Sequence, residues 1–264
     1  MNPPILLNIE DAVGHITLNR PEQANVLDEA TGQALIGVTH ELTQACAQGD
    51  VRAVLISARG PHFCAGGDIR GFAASENMSA LLDRSIPPLH ACIHALSTLS
   101  VPVVSAVNGS IGGGGIGIAL CADIVLASQS MKLRGGYSAI GLSPDVGVSW
   151  TLTRLVGPMR AKHILFTNQI LTADQCLAAG LVAEVHADDA LMPAAQALVR
   201  SLALGASGSL ARIKALVDQA ASHSLQQHLV MEHIGMVACG ASDDAREGVR
   251  SFLEKRPARF SAKG

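Results

Sequence analysis

The sequence predicts an α/β fold with a parallel sheet, and two features of the chain lead to this prediction. Over the first half, short apolar, β-prone runs alternate with longer segments of helical periodicity. Such alternation is typical of βαβ units, whose strands are parallel. After Asp145 the strand signals fade and apolar helical patterns continue to residue 254. We therefore expect a core over residues 1–200 and a C-terminal helical region over residues 201–264.

The strands and helices of the first half are predicted from apolar runs and from the residues that begin or interrupt them. Two apolar runs around Glu10-Asp-Ala suit a hairpin, and Asp28 is a favoured N-cap for the helix that follows it. Pro87 and Pro88 should begin or kink a helical segment. The predicted strands cover residues 5–9, 13–18, 51–57, 103–107 and 124–127, and the predicted helices cover residues 29–47, 78–99 and 116–120.

The second half is predicted to be helical. Apolar patterns at helical spacing cover residues 146–156, 161–166, 173–179, 190–204, 210–221, 225–239 and 243–254. The segment 225–239 carries apolar residues on several faces, and such a helix needs a second packing partner. This pattern fits a homo-oligomer interface or an ordinary core helix. Trp150, the only tryptophan, is expected in the core.

Composition limits the classes of function. The 264 residues carry a formal charge of −3 without a basic block, which argues against nucleic acid as the main partner. The six cysteines are scattered without a CxxC pair, so we expect reduced thiols and no metal site. No apolar run approaches the length of a membrane span, and no signal-peptide pattern is visible. We expect a cytoplasmic protein that does not enter membranes.

A glycine tract is the most informative local feature. Gly112 to Gly115 follow one apolar run and precede another that is predicted to be helical. Glycine lets the backbone turn sharply and approach a ligand closely. Free N–H groups at the start of a helix can stabilise negative charge on an oxygen. The tract therefore fits half of an oxyanion hole, with a flexible loop as the alternative.

Several ordered motifs together resemble the crotonase (enoyl-CoA hydratase/isomerase) superfamily over essentially the whole chain. These are Asn19-Arg-Pro, the segment Phe63-Cys-Ala-Gly-Gly-Asp-Ile69, Asn108-Gly with Gly113-Gly-Gly, Ala122-Asp123, Gly141-Leu-Ser-Pro-Asp145 and Glu247-Gly-Val with Phe252-Leu-Glu-Lys-Arg256. The resemblance implies a spiral of ββα and βαβ turns with a C-terminal helical oligomerisation region. It also implies homotrimers that usually pair into hexamers, and an acyl-CoA thioester as substrate rather than a separate cofactor.

The resemblance also assigns residues. The N–H groups of Gly67 and Gly114 match the two donors that hold the thioester oxygen. Residues matching the CoA-binding segments are Ala65, Gly66, Asp68 and Ile69 beside the adenine end, Gln23 and Ala24 beside the pantetheine arm, and Lys255 near the phosphates.

The reaction is indicated by a departure from the hydratase pattern. The two glutamates of the hydratase branch match Gly117 and Tyr137, and neither can move a proton as a carboxylate does. Efficient hydration is therefore not expected. Asp145 instead matches the single acid of the isomerase branches, where one carboxylate carries a proton between Cα and Cγ through a dienolate. The alternative for Asp145 is an N-cap of the predicted helix 146–156.

Other interpretations of the function and of the site residues remain open at this point. In the dehalogenase branch an aspartate at the Asp145 position is a nucleophile, and a histidine matching His90 activates water. The aromatic walls of that site are replaced here by Leu89 and Tyr137. Tyr137 itself could line the acyl pocket, hydrogen-bond Asp145 or only pack. A third reading is an acyl-CoA binder without catalysis.

Overall fold

The computed structural model describes residues 3–261, in which ten strands and ten α-helices are found. The strands are β1 (Ile5–Glu10), β2 (Val13–Leu18), β3 (Ala53–Ala58), β4 (His62–Cys64), β5 (Val103–Val107), β6 (Ser110–Gly112), β7 (Ile124–Ser128), β8 (Lys132–Arg134), β9 (Ile170–Thr172) and β10 (Glu184–His186). The helices are α1 (Glu29–Gln48), α2 (Ile69–Ala74), α3 (Met78–Ser97), α4 (Gly114–Leu120), α5 (Val148–Thr167), α6 (Ala173–Ala178), α7 (Leu191–Ala203), α8 (Ser207–Gln219), α9 (Leu225–Gly240) and α10 (Asp243–Leu253).

The strands form two sheets. The larger sheet has the order β1-β2-β3-β5-β7-β10, with an antiparallel β1-β2 hairpin and parallel pairs beyond it. The smaller sheet has the order β4-β6-β8-β9, in which β4, β6 and β8 are parallel. Along the chain β3, β5 and β7 of the large sheet are each followed by a small-sheet strand and then by one or more helices. This repeated ββα unit builds the crotonase spiral, as expected.

Both faces of the larger sheet are covered, which explains its continuous apolar strands. On one face Leu55, Val104 and Leu126 pack against α7. On the other, alternate residues such as Val54 and Ile56 join the main core with α1 and α3. Strands buried on both faces lose the apolar–polar alternation of half-exposed strands. The parallel sheet was predictable for this reason.

Several local predictions were wrong. Two short strands, β9 and β10, follow Asp145, where none was expected. α3 continues through Pro87 and Pro88, and α5 begins at Val148 rather than at Val146. The predicted break between the segments 146–156 and 161–166 is, in contrast, confirmed, because Gly157 has a φ of 75° and interrupts α5. Trp150 is 66% exposed, and the Arg154 guanidinium lies 4.6 Å from its ring centroid. A three-residue strand has too few alternating positions to show a period in sequence.

α8 and the turn before it are joined to the core by specific polar contacts. Arg52 donates to the Ser207 hydroxyl and the Gly205 carbonyl, and the Lys214 ammonium lies 2.9 Å from the Asp123 carboxylate. The predicted division at residue 200 stays a prediction, and its outer bounds include residues 1–2 and 262–264, which lie outside the described residues. Among the described residues, no helix has the length and hydropathy needed to cross a membrane.

Candidate active site

The site is built at the carboxyl ends of three neighbouring strands. β4, β6 and β8 are parallel neighbours, so the turns that follow them emerge at the same edge of the small sheet. The first turn carries Gly66 and Gly67, the second carries Gly113 and Gly114, and the third leads to Tyr137. Parallel pairing therefore brings together segments that are distant in sequence.

The two glycine turns touch each other. A Cβ built on Gly66 would lie 2.6 Å from the Gly112 carbonyl oxygen and 3.2 Å from the Gly113 Cα. A Cβ on Gly115 would lie 2.5 Å from the Cys64 carbonyl oxygen. These separations leave no room for a side chain, so glycine is required at both positions for the backbones to approach.

The two predicted oxyanion donors, the N–H groups of Gly67 and Gly114, are not used in hydrogen bonds that hold the described part of the fold together. Gly114 is the first residue of α4, and the N–H groups of a first helical turn have no partner within the helix. Within residues 3–261, neither the Gly67 N–H nor the Gly114 N–H takes part in a hydrogen bond of the fold. The Gly113 N–H, in contrast, donates to the Arg134 and Gly135 carbonyls and anchors the turn to the end of β8. The loops thus hold two unused donors on adjoining turns.

The N-terminal loop lies against the first of these turns. The Ala65 N–H donates to the Ala24 carbonyl over 3.0 Å, and the Leu27 N–H donates to the Gly66 carbonyl over 2.8 Å. The Gln23 side chain is exposed and accepts a hydrogen bond from Arg20. The segments expected to contact CoA, 23–24 and 65–69, are therefore brought together.

The remaining CoA-binding candidates differ in position. The Asp68 carboxylate accepts from the Arg70 N–H and caps α2, and Ile69 is exposed. Lys255 is exposed after the end of α10, whose main packing neighbour is α9. The single chain does not bring Lys255 to the glycine turns, and its assignment stays a prediction.

Asp145 lies beside the second glycine turn. A Cβ built on Gly114 would be 3.5 Å from the Asp145 Oδ1, and the Tyr137 hydroxyl donates to that same oxygen over 2.6 Å. The N-cap of α5 is Gly147, so the alternative of Asp145 as a helix cap is wrong. The carboxylate is instead held by a phenol next to the proposed oxyanion donor.

Tyr137 is suited to be the donor of this pair. Its burial raises the pKa of the phenol, and the negative charge of Asp145 and the hydrogen bond to it raise that pKa further. The phenol therefore keeps its proton throughout the physiological range. A protonated phenol can donate a hydrogen bond to the carboxylate and so fix its orientation.

Val146 occupies the space that a second acid would need. Its carbonyl oxygen would lie 1.9 Å from a Cβ built on Gly117, the position that matches one hydratase glutamate. Val146 is 1% exposed and has a φ of 49°, a left-handed conformation that costs a β-branched residue roughly 1–2 kcal/mol. The turn from Asp145 to Gly147 thus fills the site beside Gly117 with backbone.

His90 contacts this turn from α3. The Val146 N–H donates to the His90 Nε2 over 3.0 Å. An Nε2 that accepts a hydrogen bond uses its lone pair for that contact. His90 therefore lies at the site, where it contacts the backbone of Val146.

Two contributors were missed by sequence reasoning. A Cβ on Gly67 would lie 2.8 Å from the Phe72 Cζ, so the Phe72 ring covers the first glycine turn. Val146 was assigned to a helix, although nothing in a Val-Gly pair signals a left-handed valine. Neither contact has a periodicity or motif from which it could be predicted.

Asp145 is partly exposed. Two cavities of the described chain, about 610 and 500 Å³, are lined by α9 residues and by residues around Arg256, and neither lining includes Asp145. Within residues 3–261 no group of three or more His, Cys, Asp or Glu side chains is arranged to hold a metal ion.

The fold and the paired glycine turns define an α/β protein built as a spiral of ββα units, and comparison with known proteins identifies the family. The Enoyl-CoA hydratase/isomerase family model matches residues 8–263, so the chain belongs to this family, within the crotonase superfamily. It is 35% identical over 266 residues to the 1,2-epoxyphenylacetyl-CoA isomerase of Escherichia coli, covering 98% of each chain. It is 30% identical over 261 residues to the crotonyl-CoA hydratase of Syntrophomonas wolfei, also covering 98% of each. A crystal structure of an enoyl-CoA hydratase from Polaromonas has a TM-score of 0.90 at 31% identity, covering 97% of this chain and 99% of that one.

Proposed function

We propose that the protein is an acyl-CoA isomerase that moves a carbon–carbon double bond by a 1,3-proton shift. The observation that carries this proposal is the Asp145 carboxylate beside Gly114, with backbone rather than a second acid at Gly117. Asp145 removes a proton from Cα or Cγ of an enoyl thioester and returns it to the other carbon. One carboxylate that faces both carbons is sufficient for this exchange.

The glycine turns supply the electrostatic part of the reaction. Proton removal places negative charge on the thioester oxygen, and the N–H groups of Gly67 and Gly114 would donate to that oxygen. Fixed donors stabilise the charge as it develops, and losing one donor in a comparable site costs ~3–4 kcal/mol. The Tyr137 hydroxyl keeps the carboxylate oriented between proton transfers.

Hydration is the less favoured chemistry at this site. Adding water across a double bond requires that the water be positioned and deprotonated while a second group protonates the adjacent carbon. Gly117 and Tyr137 stand where the hydratase branch has its acids, and the Val146 carbonyl prevents any side chain at residue 117. The family includes both activities, as the isomerase and the hydratase among its relatives indicate.

The dehalogenase-like alternative requires His90 to activate water for hydrolysis of an ester on Asp145. The His90 Nε2 is engaged by the Val146 N–H, and the flanking residue Leu89 is buried and apolar. A base whose lone pair already accepts a hydrogen bond must break it before taking a proton. This contact favours isomerisation over the hydrolytic pathway.

Deuterium wash-in from D2O tests the proposal, since it detects enolisation whatever the final product. A panel of 3-enoyl-CoA and 2-enoyl-CoA esters is incubated with the wild type, with Asp145→Asn and with Asp83→Asn, which changes an exposed carboxylate on α3. We expect exchange and double-bond migration in the wild type and control, and loss of both in Asp145→Asn with CoA-ester binding retained.

The outcomes separate the candidate functions. Unchanged exchange in Asp145→Asn would refute the role of this carboxylate. A covalent adduct trapped on Asp145 would favour the dehalogenase-like reaction. Tight binding without exchange in the wild type would favour a non-catalytic acyl-CoA binder.

A further inference from the structure

We propose that His90 is a positioning residue that holds the Asp145 carboxylate in place through the backbone of Val146. This inference rests on the proposed role of Asp145. In this proposal His90 neither activates water, as in the dehalogenase-like alternative, nor exchanges a proton with the substrate. The observation behind it is the 3.0 Å hydrogen bond from the Val146 N–H to the His90 Nε2.

The turn that carries Asp145 needs such support because of its backbone conformation. Val146 and Gly147 have φ values of 49° and 74°, so the chain takes two left-handed residues before α5 begins. Glycine adopts this region readily, whereas a β-branched residue does so only when its surroundings determine it. Without external contacts the valine would return to a right-handed or extended conformation and rotate the preceding carboxylate.

Two contacts determine the conformation of Val146. Its side chain and its carbonyl group lie against the glycine tract. The Val146 Cγ2 would be 3.0 Å from a Cβ built on Gly114, and the Val146 carbonyl oxygen lies against Gly117. Its N–H donates to the His90 Nε2. The N–H of Val146 directly follows the carbonyl of Asp145, so an acceptor at this point fixes the peptide plane between them.

The chemistry of the contact explains why a histidine suits this position. The His90 ring extends from α3, and its Nε2 accepts the hydrogen bond from the Val146 peptide N–H. A glutamine has a carbonyl oxygen at about the same reach, so it can replace the acceptor but cannot act as a base near neutral pH. A leucine fills similar space without any acceptor. These two substitutions therefore distinguish positioning from acid–base catalysis.

The experiment uses the full-length protein with His90→Gln, His90→Leu and, as the control on the same helix, His94→Leu, which changes an exposed histidine one turn further along. Deuterium wash-in gives kcat and KM for each. We expect His90→Leu to lower kcat about tenfold with little change in KM, and His90→Gln and His94→Leu to stay within about threefold of the wild type.

A second measurement needs no substrate. Amide hydrogen exchange of the segment 142–150, followed by mass spectrometry, should be faster in His90→Leu than in the wild type and restored in His90→Gln. In a Val146→Gly background, where the left-handed conformation costs nothing, the kcat ratio between histidine and leucine at position 90 should shrink. This variant keeps the test valid if His90→Leu alone is poorly folded.

Two results would overturn the inference. Equal loss of kcat in the glutamine and leucine variants, with unchanged amide exchange, would make His90 an acid–base group. Wild-type kcat in both variants would remove it from the mechanism. If the wild type exchanges no deuterium, the proposed function fails, while the amide-exchange measurement still decides whether His90 holds the turn.

Discussion

The Tyr137 hydroxyl donates to the Asp145 Oδ1 over 2.6 Å, and this bond joins the end of β8 to the turn before α5. Because the phenol fixes the orientation of the carboxylate, Tyr137→Phe should lower kcat about tenfold with little change in KM. Both constants are measured by deuterium wash-in, with a thermal melt as the folding control. An unchanged kcat would show that the bond does not affect proton transfer.

The Gly114 N–H can be removed with a matched steric control. Gly114 is the first residue of α4, where proline is accepted, and Gly113 has φ 48° and ψ −130°, outside the α region that proline disfavours in its predecessor. Gly114→Ala adds a Cβ but keeps the N–H. We expect Gly114→Pro to have a kcat about 10²–10³-fold below that of Gly114→Ala. Equal kcat values in single-turnover assays would exclude this N–H as an oxyanion donor.

Gly117→Ala tests the close approach of Val146. The added Cβ would meet the Val146 carbonyl at 1.9 Å, so the turn carrying Asp145 must shift. We expect a loss of roughly 1–3 kcal/mol in the free energy of unfolding, together with most of the activity. Gly37→Ala on α1, where nothing lies within 4 Å, is the control and should be neutral or stabilising by up to about 1 kcal/mol. Urea titration compares the two, and a stable, active Gly117→Ala would contradict the packing described.

His15 predicts a pH dependence of stability. Burial lowers the pKa of His15 from its ordinary value of 6.5, and its Nε2 lies 2.7 Å from the Ser57 hydroxyl. As the pH falls through about 6.5, the unfolded chain binds a proton that the native state does not, so the free energy of unfolding decreases. In the His15→Gln variant the free energy of unfolding should therefore decrease less between pH 7.5 and pH 5.5 than in the wild type. Identical pH slopes for the two proteins in thermal and urea melts would contradict the prediction.

The exposed apolar face of α9 predicts self-association. Leu229, Val230, Ile234 and Val237 are each more than half exposed in the single chain. We propose a second copy of the chain as the occupant, in a homotrimer or a hexamer of two trimers, since a contiguous apolar face of this kind is typical of interfaces. Ile234→Glu should reduce the mass measured by light scattering, whereas Ile36→Glu, the same change on α1, should not. A monomeric wild type would contradict the proposal.

Much of the fold was predictable because its signals are local. Asp28 was correctly placed as the N-cap of α1, where its side chain accepts from the Thr31 N–H. The buried strands β3, β5 and β7 were visible as apolar runs. β5 was predicted with its observed bounds, β7 was one residue short, and β3 was shifted by two residues at its start and one at its end. The strands of the small sheet were not found, because three residues carry no period. Trp150 was misplaced because hydrophobicity does not reveal which face of a helix meets the core.

The sequence by itself determined the family and the absence of the two glutamates that mark the hydratase branch, because residue identity and motif order carry that information directly. Only the tertiary structure decided that Asp145 lies against Gly114 rather than capping α5, that Tyr137 donates to it, and that Val146 occupies the space beside Gly117 under support from His90. These relationships join segments that are distant in sequence. They depend on the parallel pairing of β4, β6 and β8 and on one left-handed valine, and no local pattern encodes either.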